Sequence, residues 1–380
     1  MTLVAFWGAA GLVAYTYVGF PLLLLARARV RPRPHLTAAV TPAVTIVIAA
    51  HDEEAVIGDK VRNLLGLDYP AEQLHVVVAS DGSTDATVAR AREAGGQRVE
   101  VLDLPRTGKA GALNAAVARA RGDILVFTDA NSMFAPDALR GLVAPFADDE
   151  VGGVAGDQRY LRSGEEPGVA RGERGYWSVD RTLKRAESAS GSVVSATGAI
   201  YAVRRSLFDP VPDGVTDDFT TSTAVIARGR RLVFAPDAVA FEPVGASREI
   251  EYGRKVRVMT RGLNAVLFRR SLLDPRRHGF YALELLSHKV LRRLMAIPLA
   301  VLAGTAAVLA RRSGVYRFAA AGQAVLYALG AAGLALERTR AARWRSLALP
   351  AYFCLVNVAS LQAVLNVVRG RSVDRWEPRR

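Results

Sequence analysis

Four stretches of this chain, 3–26, 294–310, 318–336 and 346–368, contain no Asp, Glu, Lys or Arg. All 50 Lys or Arg and all 36 Asp or Glu fall elsewhere, so the 23% charged average hides a sharp segregation. A helix that crosses a bilayer needs roughly 17–25 mostly apolar residues. The pattern excludes a purely soluble enzyme, a disordered chain and a transporter buried throughout in lipid. It predicts one sizeable domain over 40–270 held between an N-terminal anchor over 1–28, an interfacial basic segment over 271–293 and a membrane region of two to three helices over 294–369.

Charge order sets the expected topology. No Lys or Arg precedes the first apolar stretch, and Arg27, Arg29, Arg31 and Arg33 follow it at once. A secretory signal has the reverse order. The positive-inside rule then places the N-terminus outside and the domain in the cytoplasm, making this a multi-pass cell-membrane protein. Arg31-Pro32-Arg33-Pro34 reads as a stiff linker. The far end conflicts with the rule, because three further crossings would put Arg369, Arg371, Arg375, Arg379 and Arg380 outside. Either one stretch is re-entrant or interfacial, or the rule fails, and 294–310, short and carrying Pro298, is the weakest span.

The single cysteine, Cys354, sits in the last apolar stretch, which excludes an intramolecular disulfide and a cysteine zinc site. The histidines at 35, 51, 75, 278 and 288 share no metal-ligand spacing. The +14 net charge crowds near the membrane boundaries, with nine Lys or Arg against three acids over 248–277. That strip fits anionic headgroups or a phosphate-bearing substrate, and no nucleic-acid motif accompanies it.

Within the domain, strands and helices alternate. Val44–Ala50, Leu74–Ala79, Val99–Leu102 and Asp123–Thr128 are short apolar runs separated by helical patterns, which predicts an α/β fold with a mainly parallel sheet covered on both faces. Ligands of such sheets bind beyond the carboxyl ends of the strands. Polar clusters at 51–54, 81–85 and 129–131 fall at those ends and are expected to converge.

Each cluster has two readings. Asp81-Gly82-Ser83-Thr84-Asp85 caps a helix, yet Asp81 stands before a glycine that lets a ligand approach the backbone. Arg106-Thr107-Gly108-Lys109-Ala110-Gly111 is an anion site at a helix start or a plain turn; it is no Walker A loop. Asp129-Ala130-Asn131 ends a buried strand, where two oxygen-bearing side chains can share Mg²⁺ or Mn²⁺, or it forms an Asx turn. In Thr216-Asp217-Asp218 one acid suits the helix dipole, while two adjacent acids raise one pKa and suit a general base. Arg254, Lys255, Arg257 and Arg261 share one helix face, where like charges favour a polyanion or lipid headgroups.

In this order and with these membrane flanks, the motifs resemble a membrane-anchored family 2 glycosyltransferase of the GT-A fold, the superfamily of cellulose, chitin and hyaluronan synthases. Tyr15-Thr16-Tyr17-Val18-Gly19-Phe20-Pro21 is similar to the N-terminal anchor of such proteins. Ser287-His288-Lys289-Val290-Leu291-Arg292 is similar to a segment before their C-terminal helices. The resemblance implies that His51, Glu53 and Asp81 line a uridine pocket, that Lys109 lies near the diphosphate, and that Asp129 leads the metal-binding D-x-D motif with Asn131 in place of its second Asp. It puts Gly198, Trp177 and Asp217 on the acceptor side, Trp177 to stack on a sugar ring. Asp218 takes the catalytic-base position of the T-E-D motif. Arg254-Lys255-Val256-Arg257-Val258 stands where processive synthases carry Q-x-x-R-W, keeping Arg257 on the donor side beside Arg254 but lacking Gln and Trp.

The implied function is inverting, metal-dependent transfer of a sugar from a nucleotide sugar, a UDP-sugar first, to a lipid-linked or glycan acceptor in envelope or exopolysaccharide assembly. The alternatives are a processive synthase acting as a homo-oligomer, a non-catalytic subunit of polysaccharide export machinery, and a nucleotidyltransferase on a similar fold. Membrane lipids are expected partners and nucleic acid is not.

Overall fold

The computed structural model describes residues 1–161, 168–243, 248–336, 339 and 344–371, the side chains of 168–176, 178 and 248–250 excepted. Arg375, Arg379 and Arg380 lie outside the described residues.

Seven consecutive residues of β1 (Val44–Ala50) are buried, because the sheet is covered on both faces. Alternation sorts them. Val44, Ile46 and Ile48 enter one core with Ile57, Val61 and Leu64 of α2 (Ile57–Leu65). Val47 and Ala49 enter the other with Ala112, Leu113 and Ala116 of α4 (Gly108–Ala118). Between these helices lie β2 (Leu74–Asp81), α3 (Thr87–Gly95) and β3 (Val99–Leu104). After α4 come β4 (Ile124–Phe127), β5 (Met133–Phe134), α5 (Ala138–Val143), β6 (Val151–Tyr160), α6 (Gly168–Ser190), β7 (Tyr201–Arg204), α7 (Asp217–Ala227) and β8 (Arg231–Glu242).

The eight strands run in the order β3-β2-β1-β4-β7-β6-β8-β5. The first four pair in parallel, as the apolar runs predict. The second half is mixed: β7 is antiparallel to both β4 and β6, β8 is parallel to β6, and β5 is antiparallel to β8. Pairing through β7 therefore brings the carboxyl ends of β1, β2, β4, β6 and β8 to one edge of the sheet, and the site forms there.

Helix α8 (Arg248–Phe268) follows the sheet. Among the described residues three helices are long and apolar enough to cross a membrane: α1 (Thr2–Val30), α11 (Gly314–Ala335) and α12 (Arg345–Val368). A fourth span is available if the bent pair α9 (Phe280–Leu294) and α10 (Ala296–Leu309), which meet at 56°, counts as one. The 14-residue α10 is below the length of a straight span, in line with the weakness of 294–310. Its Ala306 and Leu309 pack on Phe6 at the start of α1. At the other end of α1, Phe20 and Leu24 pack on Leu183 and Ala186 of α6. The linker is tied down: Arg33 donates to Glu150 at 3.0 Å, and the Leu36 amide donates to Asp148 at 3.1 Å.

Candidate active site

The end of β2 is built around Asp81, which is fully buried. Its carboxylate accepts the amides of Thr107 at 2.6 Å and Gly108 at 2.9 Å, so it caps α4 from another strand and satisfies two donors that a helix start leaves open. Gly82 has φ +60°, and a Cβ there would lie 2.9 Å from the Arg106 backbone nitrogen. That position needs glycine for both conformation and space. The end of β1 closes on the same loop. His51 Nδ1 lies 2.9 Å from the Asp81 carbonyl, the Glu53 amide donates to Thr87 at 2.7 Å, and Asp52, at φ +50°, accepts the Thr84 amide at 2.8 Å. His51, Glu53 and Asp81 thus share one corner at the edge of the sheet.

Lys109 occupies the first turn of α4, which Asp81 orients. Its ammonium lies 2.8 Å from Asp129 and 3.1 Å from Asp217. Burial acts to lower its pKa, but Asp129 and Asp217 outweigh burial and hold it well above the usual lysine value. Asp129 shows the converse: burial pushes its carboxyl up, and Lys109, with Lys60 and Arg257, brings it below the carboxylate range. Asp218 begins α7 next to Asp217. Burial first, and the charge of Asp217 second, push its pKa up to about 6. One cation therefore bridges Asp129 and Asp217 beside a carboxyl whose pKa is raised to about 6.

Gly198 gives this cluster its floor. A Cβ at 198 would lie 2.9 Å from Asp129 Oδ2, so only glycine leaves room for that carboxylate. Asn131 stands two residues on, partly exposed. Among the described residues no group of three or more His, Cys, Asp or Glu is placed to hold a metal ion. One ionised carboxylate and one amide oxygen suit a hard cation that takes its other ligands from substrate phosphates and water, and Asp129 with Asn131 fits that case.

Lys60, Ser132 and Glu242 were not among the expected site residues. Lys60 is fully buried on α2; its ammonium donates to Thr128 at 3.0 Å and to the Ser132 carbonyl, and lies 4.0 Å from the Phe134 ring. Burial lowers its pKa to about 7, against the pull of Asp129 and Glu242. The Ser132 hydroxyl donates to Glu242, which also accepts Gln158 at 2.5 Å. The turn 128–132 is thereby clamped from beneath. A trace was legible: Lys60 follows Ile57 by three residues and precedes Leu64 by four, on the face of α2 that enters the core.

The polar chain continues to the acceptor-side candidates. Gln158 donates to the Tyr160 hydroxyl at 3.4 Å, Trp177 meets the Tyr160 ring edge-on at 5.9 Å, and Arg254 donates to the same hydroxyl at 3.4 Å. Arg254 is held by Glu251, at 3.0 Å to each carboxylate oxygen. Burial acts to raise the Glu251 pKa, but Arg254 and Lys255 bring it down to about 2. So the structure places Trp177 and Arg254 together, one polar chain away from Asp129, while the charge of Arg257 reaches Asp129 itself.

Residues 45–211 match the family described as Glycosyl transferase family 2. The β-monoglucosyldiacylglycerol synthase of Nostoc sp. is 30% identical over 222 residues, covering 56% of this chain and 47% of that protein. The poly-β-1,6-N-acetyl-D-glucosamine synthase of Staphylococcus aureus is 26% identical over 218 residues, covering 55% and 52%. The chain spans about half the length of these curated relatives. The mannosyltransferase PcManGT from Pyrobaculum calidifontis, solved with GDP-mannose and Mn²⁺, superposes with a TM-score of 0.70 at 25% identity, covering 96% of this chain and 99% of that one. Residues 45–211 are therefore a glycosyl transferase family 2 domain, built on a mixed sheet of the GT-A kind.

Proposed function

We propose that this protein is a membrane-bound, inverting hexosyltransferase that moves a sugar from a nucleoside diphosphate sugar to a lipid-linked or glycan acceptor in envelope or exopolysaccharide assembly. One observation carries the reading: Lys109 held between Asp129 and Asp217, with Asp218 alongside at a pKa of about 6. A group with that pKa is ionised at neutral pH and still basic enough to take a proton. Asp218 accepts the proton of the acceptor hydroxyl as that oxygen attacks the anomeric carbon; the bond to the diphosphate breaks and the configuration inverts. Lys109 and Arg257 face the charge that grows on the leaving diphosphate. Asp129 and Asn131 would hold Mg²⁺ or Mn²⁺, which supplies Lewis-acid stabilisation of the same charge. His51, Glu53 and Asp81 bound the nucleotide end, and Trp177 with Gly198 the acceptor end.

Two relatives named for a glycolipid and for a glycan polymer support the acceptor class, and the GDP-mannose complex of PcManGT puts GDP-mannose beside UDP-glucose and UDP-N-acetylglucosamine in the donor panel. Purified protein given that panel with Mn²⁺ is expected to release nucleoside diphosphate from one donor and to lose the activity with chelator. Release from none, or release indifferent to chelator, contradicts the proposal. The polymer-making relative also favours a second reading, processive synthesis. The absence of Gln and Trp around Arg257 speaks for single addition, and product length separates the two.

Packing supports a topology. Phe6 meets Tyr316 edge-on at 4.8 Å, so the start of α1 and the α10–α11 turn share one level. Helix α12 lies along α8: Lys255 reaches Tyr352 at 3.3 Å, Ser360 reaches Met259 at 3.1 Å, and Asn366 reaches Thr260 at 3.4 Å. We therefore place α12 at the interface on the catalytic side, which keeps Arg369 and Arg371 in the cytoplasm, as the positive-inside rule demands. The crossings are then α1, the bent α9–α10 pair and α11.

A further inference from the structure

A cavity of about 440 Å³ opens where the first span leaves the membrane, lined by Arg27, Arg33, Arg230, Arg231, Arg277 and His278. It shares no lining residue with the site around Asp218. Helix α7 starts at Asp217 and ends beside the cavity wall, so the two stand about one helix length apart, roughly 16 Å at ~1.5 Å per residue. Two acids line the cavity with the cations, Glu150, already paired with Arg33 at 3.0 Å, and Glu284, and Arg277 meets a third, Asp274, at 3.5 Å.

The cations are fixed in place. Arg231 is 4% exposed, and its guanidinium donates to the carbonyls of Gly191, Pro34, Arg33 and Ser188 at 2.7–3.2 Å. Burial first, and the charge of Arg33 second, lower its pKa against the opposing pull of Glu150 and Asp148. Arg27 stacks 4.1 Å over the Phe280 ring, and its buried Nε finds no hydrogen-bond partner among the described residues. Clustered guanidiniums beside an apolar boundary suit a planar, doubly bonded contact with phosphate oxygens, and anionic lipid concentrates at this level of the bilayer.

We infer that this cavity binds a phosphate group, presented by an anionic membrane lipid or free in solution, at a site separate from sugar transfer. The test uses full-length protein in neutral detergent, with phosphatidylglycerol retention read by native mass spectrometry and inorganic phosphate titrated calorimetrically. At ~1 kcal/mol per basic residue, Arg27→Gln with Arg277→Gln should weaken retention about thirtyfold. Arg230→Glu, an exposed position, should act in the same direction if the double variant folds poorly. Arg311→Gln with Arg312→Gln removes as much charge elsewhere and should leave retention unchanged. Loss of phosphatidylglycerol in the cavity variants alone supports a lipid ligand, and loss of inorganic phosphate binding alone supports a soluble one. The inference is overturned if neither ligand distinguishes the cavity variants from Arg311→Gln with Arg312→Gln.

Discussion

Asp218 carries a cost as well as its proposed role. An unfolded aspartate titrates near ~3.9, and in the fold burial and Asp217 push it up to about 6. The folded state therefore holds this proton more tightly than the unfolded state. Its stabilising effect is present below about pH 4 and is lost as pH rises through about 6, leaving a penalty of ~3 kcal/mol at pH 8. Asp218→Asn removes the penalty, so its melting temperature is expected to exceed that of the wild type by several degrees at pH 8 and to match it at pH 4. Equal melting at both pH values contradicts the assignment. The adjacent acids at 217 and 218 made the smaller cause, their mutual repulsion, legible from sequence; the larger cause, burial, needs the fold. Lys60 was not legible in the same way: a lysine in a helix reads as solvated unless the fold supplies its acceptors, here Thr128 and the Ser132 carbonyl.

At the scale of elements, the turn after β4 depends on what lies beneath it. Gly198 leaves the 129 carboxylate its place, and Lys60 with Glu242 fixes the backbone around it. Gly198→Ala is expected to displace Asp129 and weaken Mn²⁺-dependent nucleoside diphosphate binding at least tenfold, with little change in melting temperature; unchanged affinity in a titration would exclude this role. The first four strands were readable because a parallel strand covered on both faces is a continuous apolar run. Strands β6 and β8 were harder: Val151–Tyr160 mixes glycine with polar residues, and Arg231–Glu242 carries a proline and three charged side chains. Their pairing rests on contacts distant in sequence, so Glu242 could not be placed beside Ser132 beforehand.

On the scale of the whole molecule, the charge-free stretches announced the membrane but not the path through it. Hydropathy does not distinguish a helix that crosses from one that lies along α8, and α12 is apolar enough for either. Its polar contacts, Tyr352 with Lys255 and Asn366 with Thr260, support the interfacial path proposed for it. In a Cys354→Ser background, a cysteine at Ser313 is expected to label from outside sealed right-side-out vesicles, and one at Arg371 only after they are opened. Labelling of both from the same side contradicts the topology.

Asp218, set beside the Lys109 bridge, is the proposed base of sugar transfer. Single-turnover nucleoside diphosphate release by wild type and Asp218→Asn, each saturated with the active donor, Mn²⁺ and acceptor, tests it most directly. The account predicts unchanged donor affinity and a rate lowered by about 10²–10⁴-fold. A variant that releases nucleoside diphosphate at the wild-type rate contradicts it.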